Sequence, residues 1–250
     1  MDVFGRFVLE FGRFRKGTED VMMTREKGLS QWFVVLAAVF VTCLITANII
    51  AAKIIDVFGW AAPAGVVIFP LSYIFGDVLT EVYGYHQARK VIWLGFFCNL
   101  IVVIAIWLAQ VMPAASFWDG QQSYEHILGY TPRLLAASFV AYLVGEFANS
   151  FVLAKMKILT RGHWLWSRTI GSTVVGEGLD SLVFVSLAFV ATIPGSILLT
   201  MIVTQWILKT AYEVLATPLT YAVFNFLKRK EGIDVYDYDT NFSPFLVADS

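Results

Sequence analysis

The chain has 250 residues, 58% hydrophobic and only 15% charged, against roughly 25% charged residues in a soluble domain. That balance describes a polytopic membrane protein. The formal net charge of -1 excludes a global basic field of the kind that binds nucleic acid, so the placement of charge carries more information than its sum. Cys43 and Cys98 lie inside apolar runs, and His86, His126 and His163 fall far apart in expected loops. Neither set has metal-ligand spacing, so no metal or cofactor is expected.

Residues 1–28 carry Arg6, Arg13, Arg15, Lys16, Arg25 and Lys27, with Phe4, Phe7, Phe11 and Phe14 at helical spacing. This fits either an amphipathic helix on an anionic membrane surface or a disordered basic tail. The basic stretch is too long for a cleavable signal, and the apolar run after it has span length. Six apolar stretches follow, near 31–50, 62–83, 88–111, 133–155, 170–193 and 196–227, each close to the ~20 residues that a bilayer core requires. The last is long enough to be tilted or broken, with Pro218 as the expected kink. Ala47 and Ala51 form a small-xxx-small pair suited to close helix approach.

All but Lys53, Arg133 and Lys209 of the 18 basic residues fall in the amino tail, the second and fourth loops or the carboxyl tail. Positive charge marks the cytoplasmic side. The expected architecture is therefore all-α: a six-transmembrane-helix bundle with both termini cytoplasmic, a basic segment 1–28, a membrane domain 29–227 and a cytoplasmic tail 228–250.

The spans carry ionisable stripes. Asp77 and Glu81 share one helix face with Tyr73 and Pro70; Tyr142, Glu146 and Asn149 form a second stripe, Thr173, Glu177 and Asp180 a third, and Gln205, Lys209 and Glu213 a fourth, while Asn48 and Asn99 lie in the first and third spans. A charge at membrane depth costs about 2.5 to 3.5 kcal/mol, so seven facing lipid would cost on the order of 20 kcal/mol. They are expected to converge inside the bundle. Neutral amides such as Asn99, Asn149 and Gln205 are also common packing glue. Six acids against Lys209 leave excess negative charge that a low dielectric forbids, so some acids are protonated, paired with Arg168, or matched by a cationic or donor-rich ligand. Catalysis is the competing class, through Asp77 with Asp180 or Ser172 with Lys209. No GxGD, HExxH, GxSxG or phosphate-cradling loop is present, and the chain does not read as an enzyme.

The segments FPLSYIFGDVLTEVYGYHQAR (69–89), RTIGSTVVGEGLDSLVF (168–184) and KTAYEVLATPLTY (209–221), with Asn48, Lys53 and the tail EGIDVYDYDTNFSPF (231–245), resemble the queuosine precursor transporter family, itself related to vitamin uptake transporters. The resemblance runs across nearly all of residues 31–245. It implies a six-helix, multi-pass importer of the bacterial inner membrane carrying 7-cyano-7-deazaguanine or 7-aminomethyl-7-deazaguanine for tRNA queuosine modification. It also implies a fold similar to the substrate-binding subunits of energy-coupling-factor vitamin transporters. On the same ground, Asn48, Asp77, Arg168, Ser172, Thr173, Asp180 and Lys209 match family positions. Two residues depart from the family pattern: Glu177 stands where many relatives have an amide, and Ser181 where threonine is usual.

A 7-deazaguanine presents an N1–H and 2-amino donor pair, an O6 acceptor and a flat face. Asp180 or Glu146 suits the donor pair, Asn48, Asn149 or Lys209 the acceptor edge, and Tyr73, Phe69 or Phe184 the face. Glu177 joins this set of candidate binding residues, as does Asp77, although Asp77 and Glu81 could instead orient the second helix by pairing with Arg89 or Lys90. Glu81, Arg89, Arg168, Glu213 and Pro218 are candidates for structure or gating. The expected partners are the substrate and the lipid bilayer, with a homo-oligomer left open. A solitary transporter is favoured over a capture subunit with an ATP-driven partner for a vitamin or other heterocycle.

Overall fold

The computed structural model describes residues 30–57, 60–129, 132–191 and 194–245. The expected amphipathic segment 1–28 lies outside the described residues, as does the end of the tail. The chain divides into a unit Met1–Val35 and a larger unit Leu36–Ser250, and the packing below belongs to the larger one.

Twenty residues without a charge form α1, Gln31–Ile50. The chain then makes a feature that apolar periodicity did not predict, an antiparallel hairpin of β1, Ile54–Val57, and β2, Trp60–Pro63, with Ile54 opposite Pro63 and Val57 opposite Trp60. The Ala64 amide donates to the Lys53 carbonyl at 2.7 Å and closes its base. A 3₁₀ turn, Ala64–Val67, leads into α2, Phe69–Tyr83. Pro70 sits in the first turn of α2, where no amide hydrogen is needed. The stretch expected as a span at 62–83 is thus divided among strand, turn and a 15-residue helix, about 22 Å long at 1.5 Å per residue against a bilayer core of about 30 Å.

Gly84 ends α2, and α3, Tyr85–Val111, begins at the next residue. Gly84 has φ of 83°, and a Cβ there would lie 2.7 Å from Val235 Cγ1, so both conformation and space require glycine. A short α4, Gln121–Leu128, precedes α5, Pro132–Leu159, α6, Leu165–Phe189, and α7, Gly195–Glu231. Among the described residues α1, α3, α5, α6 and α7 are long and apolar enough to cross a membrane, and α2 is not counted with them. The α7 helix continues through Pro218, the position expected to kink it, without being broken there. Its 37 residues reach about 55 Å, well beyond one bilayer core.

The most extensive contact is between α5 and α6, and α6 packs in turn on α7. Gly145 and Gly176 form the α5–α6 crossing: a Cβ on Gly145 would lie 3.1 Å from the Gly176 carbonyl oxygen, and one on Gly176 would lie 3.0 Å from that of Gly145. Backbones this close need glycine on both helices. The short α2 lies against α3, α5 and α7 and is buried along nearly all its length. Apolar side chains such as Ile101, Leu215 and Leu219 are exposed, whereas Asp77, Glu81, Glu146, Glu177 and Arg168 are buried. A bilayer imposes that inversion, because lipid solvates leucine and not carboxylate.

Beyond α7 the chain turns at Gly232, φ 66°, and runs back across one end of the bundle. The Val235 amide donates to the Val82 carbonyl at 3.2 Å. Asp237 accepts from the Tyr85 amide through Oδ1 at 3.2 Å and Oδ2 at 3.0 Å, and so caps the first turn of α3 from 152 residues away. Arg89 Nη1 donates to the carbonyls of Asn241 and Ser243 at 2.9 and 2.7 Å, Trp93 Nε1 to that of Pro244 at 2.8 Å, and Lys155 Nζ lies 3.9 Å from the Phe242 ring centre.

Candidate functional site

The 3₁₀ turn, α1, the start of α2, α5, α6 and α7 line a cavity of about 140 Å³ that is open on one side. Ala47 on α1 and Ala51 just past its end, the small pair, pack against Gly65 of the turn and line the cavity with it. The remaining wall includes Asn48, Phe69, Ser138, Tyr142, Asp180, Phe184, Gln205 and Lys209. An apolar cavity of about 150 Å³ holds benzene, which sets the scale here at one flat ring system. Polar groups converge at one side. Lys209 Nζ donates to Asp180 Oδ2 at 2.5 Å and pairs with Glu177 Oε2 at 2.9 Å, with the Phe69 ring centre 4.3 Å away. One helical turn separates the two acids, so a single ammonium from α7 meets both.

Behind that wall lies a second set of carboxyls. Glu146 on α5 and Glu213 on α7 are buried, and among the described residues none donates a hydrogen bond to their carboxyl oxygens. The Glu146 carboxyl sits against Gly76, whose Cβ would be 3.1 Å from Oε2. Asp77 Oδ1 accepts from Asn149 Nδ2 at 2.6 Å, while Oδ2 has no partner among the described residues. The Tyr73 hydroxyl is also wholly buried and has no partner among the described residues, next to Gly145 and the Asp180 side chain.

A third group closes the end of the bundle that the tail crosses. Arg168 holds Glu81 in bidentate fashion, Nε to Oε2 at 2.9 Å and Nη2 to Oε1 at 2.8 Å, the geometry that makes a guanidinium–carboxylate pair strong. Lys228 Nζ reaches Glu81 Oε1 at 2.5 Å and Asp234 Oδ1 at 2.9 Å. Lys157 Nζ donates to the Glu81 carbonyl at 2.5 Å, to Asp234 Oδ1 at 2.6 Å and to the Val235 carbonyl at 2.6 Å. Burial pushes the Asp234 carboxyl up, but hydrogen bonds from Lys157 and Lys228 outweigh it and hold Asp234 below its usual range.

Of the sequence-derived candidates, Asn48, Phe69, Asp180, Phe184 and Lys209 line the cavity. Tyr73, Asp77, Glu146, Asn149 and Glu177 are buried but do not line it, and Glu177 reaches it only through Lys209. The pairing of Asp77 or Glu81 with Arg89 or Lys90 is corrected: Glu81 takes Arg168 and Lys228, Asp77 takes Asn149, and Arg89 is turned to the tail carbonyls and to His86 Nδ1 at 2.9 Å. Sequence reading counted Tyr142 and Gln205 in polar stripes without placing them in the site. It missed Ser138 and Gly65 in the wall, and it used Lys157 and Lys228 only to assign sidedness. Asp234 and Asp237 carry no local signal beyond their place in an acidic, aromatic tail.

A bundle with apolar flanks, ionisable side chains turned inward and a ring-sized chamber among them defines a multi-pass membrane transport protein. The family described as "Putative vitamin uptake transporter" matches residues 63–223, and the chain belongs to that family. It is a transporter and not an enzyme, and its place is the bacterial membrane. Among curated proteins it is 28% identical over 188 residues to a "Probable queuosine precursor transporter" of Bacillus subtilis, covering 75% of this chain and 82% of that protein. It is 30% identical over 145 residues to a protein of the same description from Haemophilus influenzae, covering 58% of this chain and 59% of that one. It is 23% identical over 147 residues to the "Queuosine precursor transporter" of Escherichia coli, covering 58% and 62%. No solved structure matches the chain.

Proposed function

We propose that the chain imports queuosine precursors, 7-cyano-7-deazaguanine or 7-aminomethyl-7-deazaguanine, through a six-span bundle in which α2 with its 3₁₀ turn is the second span and both termini are cytoplasmic. The observation that carries this reading is the Lys209 ammonium seated between Asp180 and Glu177 at the edge of a chamber lined by Phe69, Tyr142 and Phe184. A deazaguanine offers its N1–H and 2-amino donors to Asp180 and its O6 to Lys209. Glu177 keeps hold of the ammonium when Asp180 turns to the base, so no buried charge is stranded during exchange. The aromatic side chains take the flat face, and a bicyclic base fills the chamber and extends to its mouth. The names of the relatives support the substrate class. The bias of lysine and arginine supports the orientation, with 228–250 as a cytoplasmic tail.

The test is binding of both deazaguanines to the purified protein with guanine as control, followed by Asp180→Asn and Lys209→Met. Both bases are expected to bind, guanine more weakly because it lacks the 7-substituent, and each variant to lose tenfold or more, in line with about 1.5–3 kcal/mol for a buried hydrogen bond to a charged group. Equal binding of guanine sinks the substrate assignment. Accumulation by cells expressing this protein alone is the expected outcome for a solitary transporter; uptake that appears only with an ATP-driven partner reverses that part.

A further inference from the structure

The carboxyls behind the chamber have no task in holding a base, and their surroundings differ from those of the paired ions. Titratable groups face Glu146 from every side: Asp77 and Tyr73 from α2, Glu177 and Asp180 from α6, Glu213 from α7, and Tyr142 from its own helix. Glu213 in turn faces Asp77 and Glu177, and Asp77 faces Glu81. Among the described residues no cation is paired with Asp77, Glu146 or Glu213. Lys209 is committed to Asp180 and Glu177, and Arg168 with Lys228 to Glu81. Asp77, Glu146 and Glu213 are thus buried acids between the chamber acids Glu177 and Asp180 and the Glu81 cluster, and among the described residues both Glu146 and Glu213 oxygens, one Asp77 oxygen and the wholly buried Tyr73 hydroxyl have no hydrogen-bond partner.

Uncompensated carboxylates cannot be held in a dry interior, whereas carboxyls that take up and give off a proton can. We propose that Glu146 and Glu213, with Asp77, form a proton relay that couples inward movement of the base to the proton gradient. A metal ion fits these groups less well: among the described residues no three carboxylate, histidine or cysteine side chains are placed to ligate one. Each step makes one O–H bond as it breaks another, with water on either side of the membrane as first donor and last acceptor. The inference rests on the importer reading and adds its driving force.

The experiment uses the full chain in proteoliposomes with the membrane potential clamped, and radiolabelled 7-cyano-7-deazaguanine, a base without an amine to titrate. With the outside one pH unit more acidic, the native protein accumulates the base up to about tenfold at one proton per base, since one pH unit is tenfold in the proton-binding equilibrium. Glu146→Gln and Glu213→Gln, which keep the shape of the side chain, bring the base only to equal concentrations yet still exchange labelled for unlabelled base. Exchange by the native protein without accumulation overturns the coupling and leaves the importer reading standing. Accumulation by either variant, or loss of exchange in both, also overturns it. Absence of exchange by the native protein overturns the coupling and the importer reading together.

Discussion

At the scale of single residues, the sharpest contrast is between acids that have a cation and acids that do not. Glu81 is wholly buried and held by Arg168 and Lys228. Removing Arg168 strips Glu81 of its bidentate hydrogen bonds while Lys228 remains, at about 1.5 to 3 kcal/mol for each lost hydrogen bond to a charged group. Arg168→Met is therefore expected to lower the thermal midpoint of the detergent-purified protein strongly, whereas Glu81→Gln with Arg168→Met recovers part of the loss; a single variant as stable as the native chain would refute the pairing. The burial of Asp77, Glu146, Glu177, Asp180 and Glu213 was legible in the sequence, because a carboxylate every three or four residues in an apolar run has nowhere else to go. The partner of each acid was not. Arg168 lies 87 positions from Glu81, and nothing local to either distinguishes that match from the nearer Arg89.

At the scale of elements, the most interrupted apolar run among the described residues ends in α2, the helix that α3, α5 and α7 pack around. Hydropathy marks 62–83 as a single apolar run, and only Pro63 and Pro70 hint that a strand, a turn and a short helix divide it. The α2–α3 junction was equally hidden, since it depends on Gly84 and on a cap supplied by Asp237 from beyond the last helix. Asp237→Ala is expected to cost about 1 kcal/mol, the usual worth of a capping side chain, read as a lower unfolding midpoint with unchanged helix content. Asp234 ties the tail to Lys157 and Lys228, and its lowered carboxyl makes that tie depend on pH. A group whose folded pKa is depressed stabilises fully above its unfolded value, here 3.8, and loses that contribution as pH falls below it towards the folded value. Acid-induced release of the tail, followed by protease sensitivity near Gly232, should thus begin at higher pH in Asp237→Ala than in the native chain.

At the scale of the whole molecule, the fold is solvated by lipid outside and by its own ionisable groups within. Five span-length helices were readable from composition with ends within about five residues of those observed, and α1 was read to the residue, because the length of an apolar run is set by the bilayer whatever packs against it. The chamber was readable as a convergence of stripes but not as a volume, since its size depends on how near Gly145 and Gly176 bring α5 to α6. Gly145→Leu should abolish binding of either deazaguanine while the protein still inserts, a split measured by ligand binding against membrane yield. The six-span arrangement is checked with single cysteines: one replacing Asp119 should react with an impermeant maleimide in intact cells, and one replacing Gly232 only after lysis. The docked segment 232–245 has a consequence for biosynthesis. It leaves the ribosome after every helix has been made, so the cap on α3 and the clasp around Glu81 can form only once α7 has been delivered to the bilayer. Until then the nascent bundle carries an unfinished face, and a chain halted before Asp234 would be open to quality-control proteases even with all its helices in place.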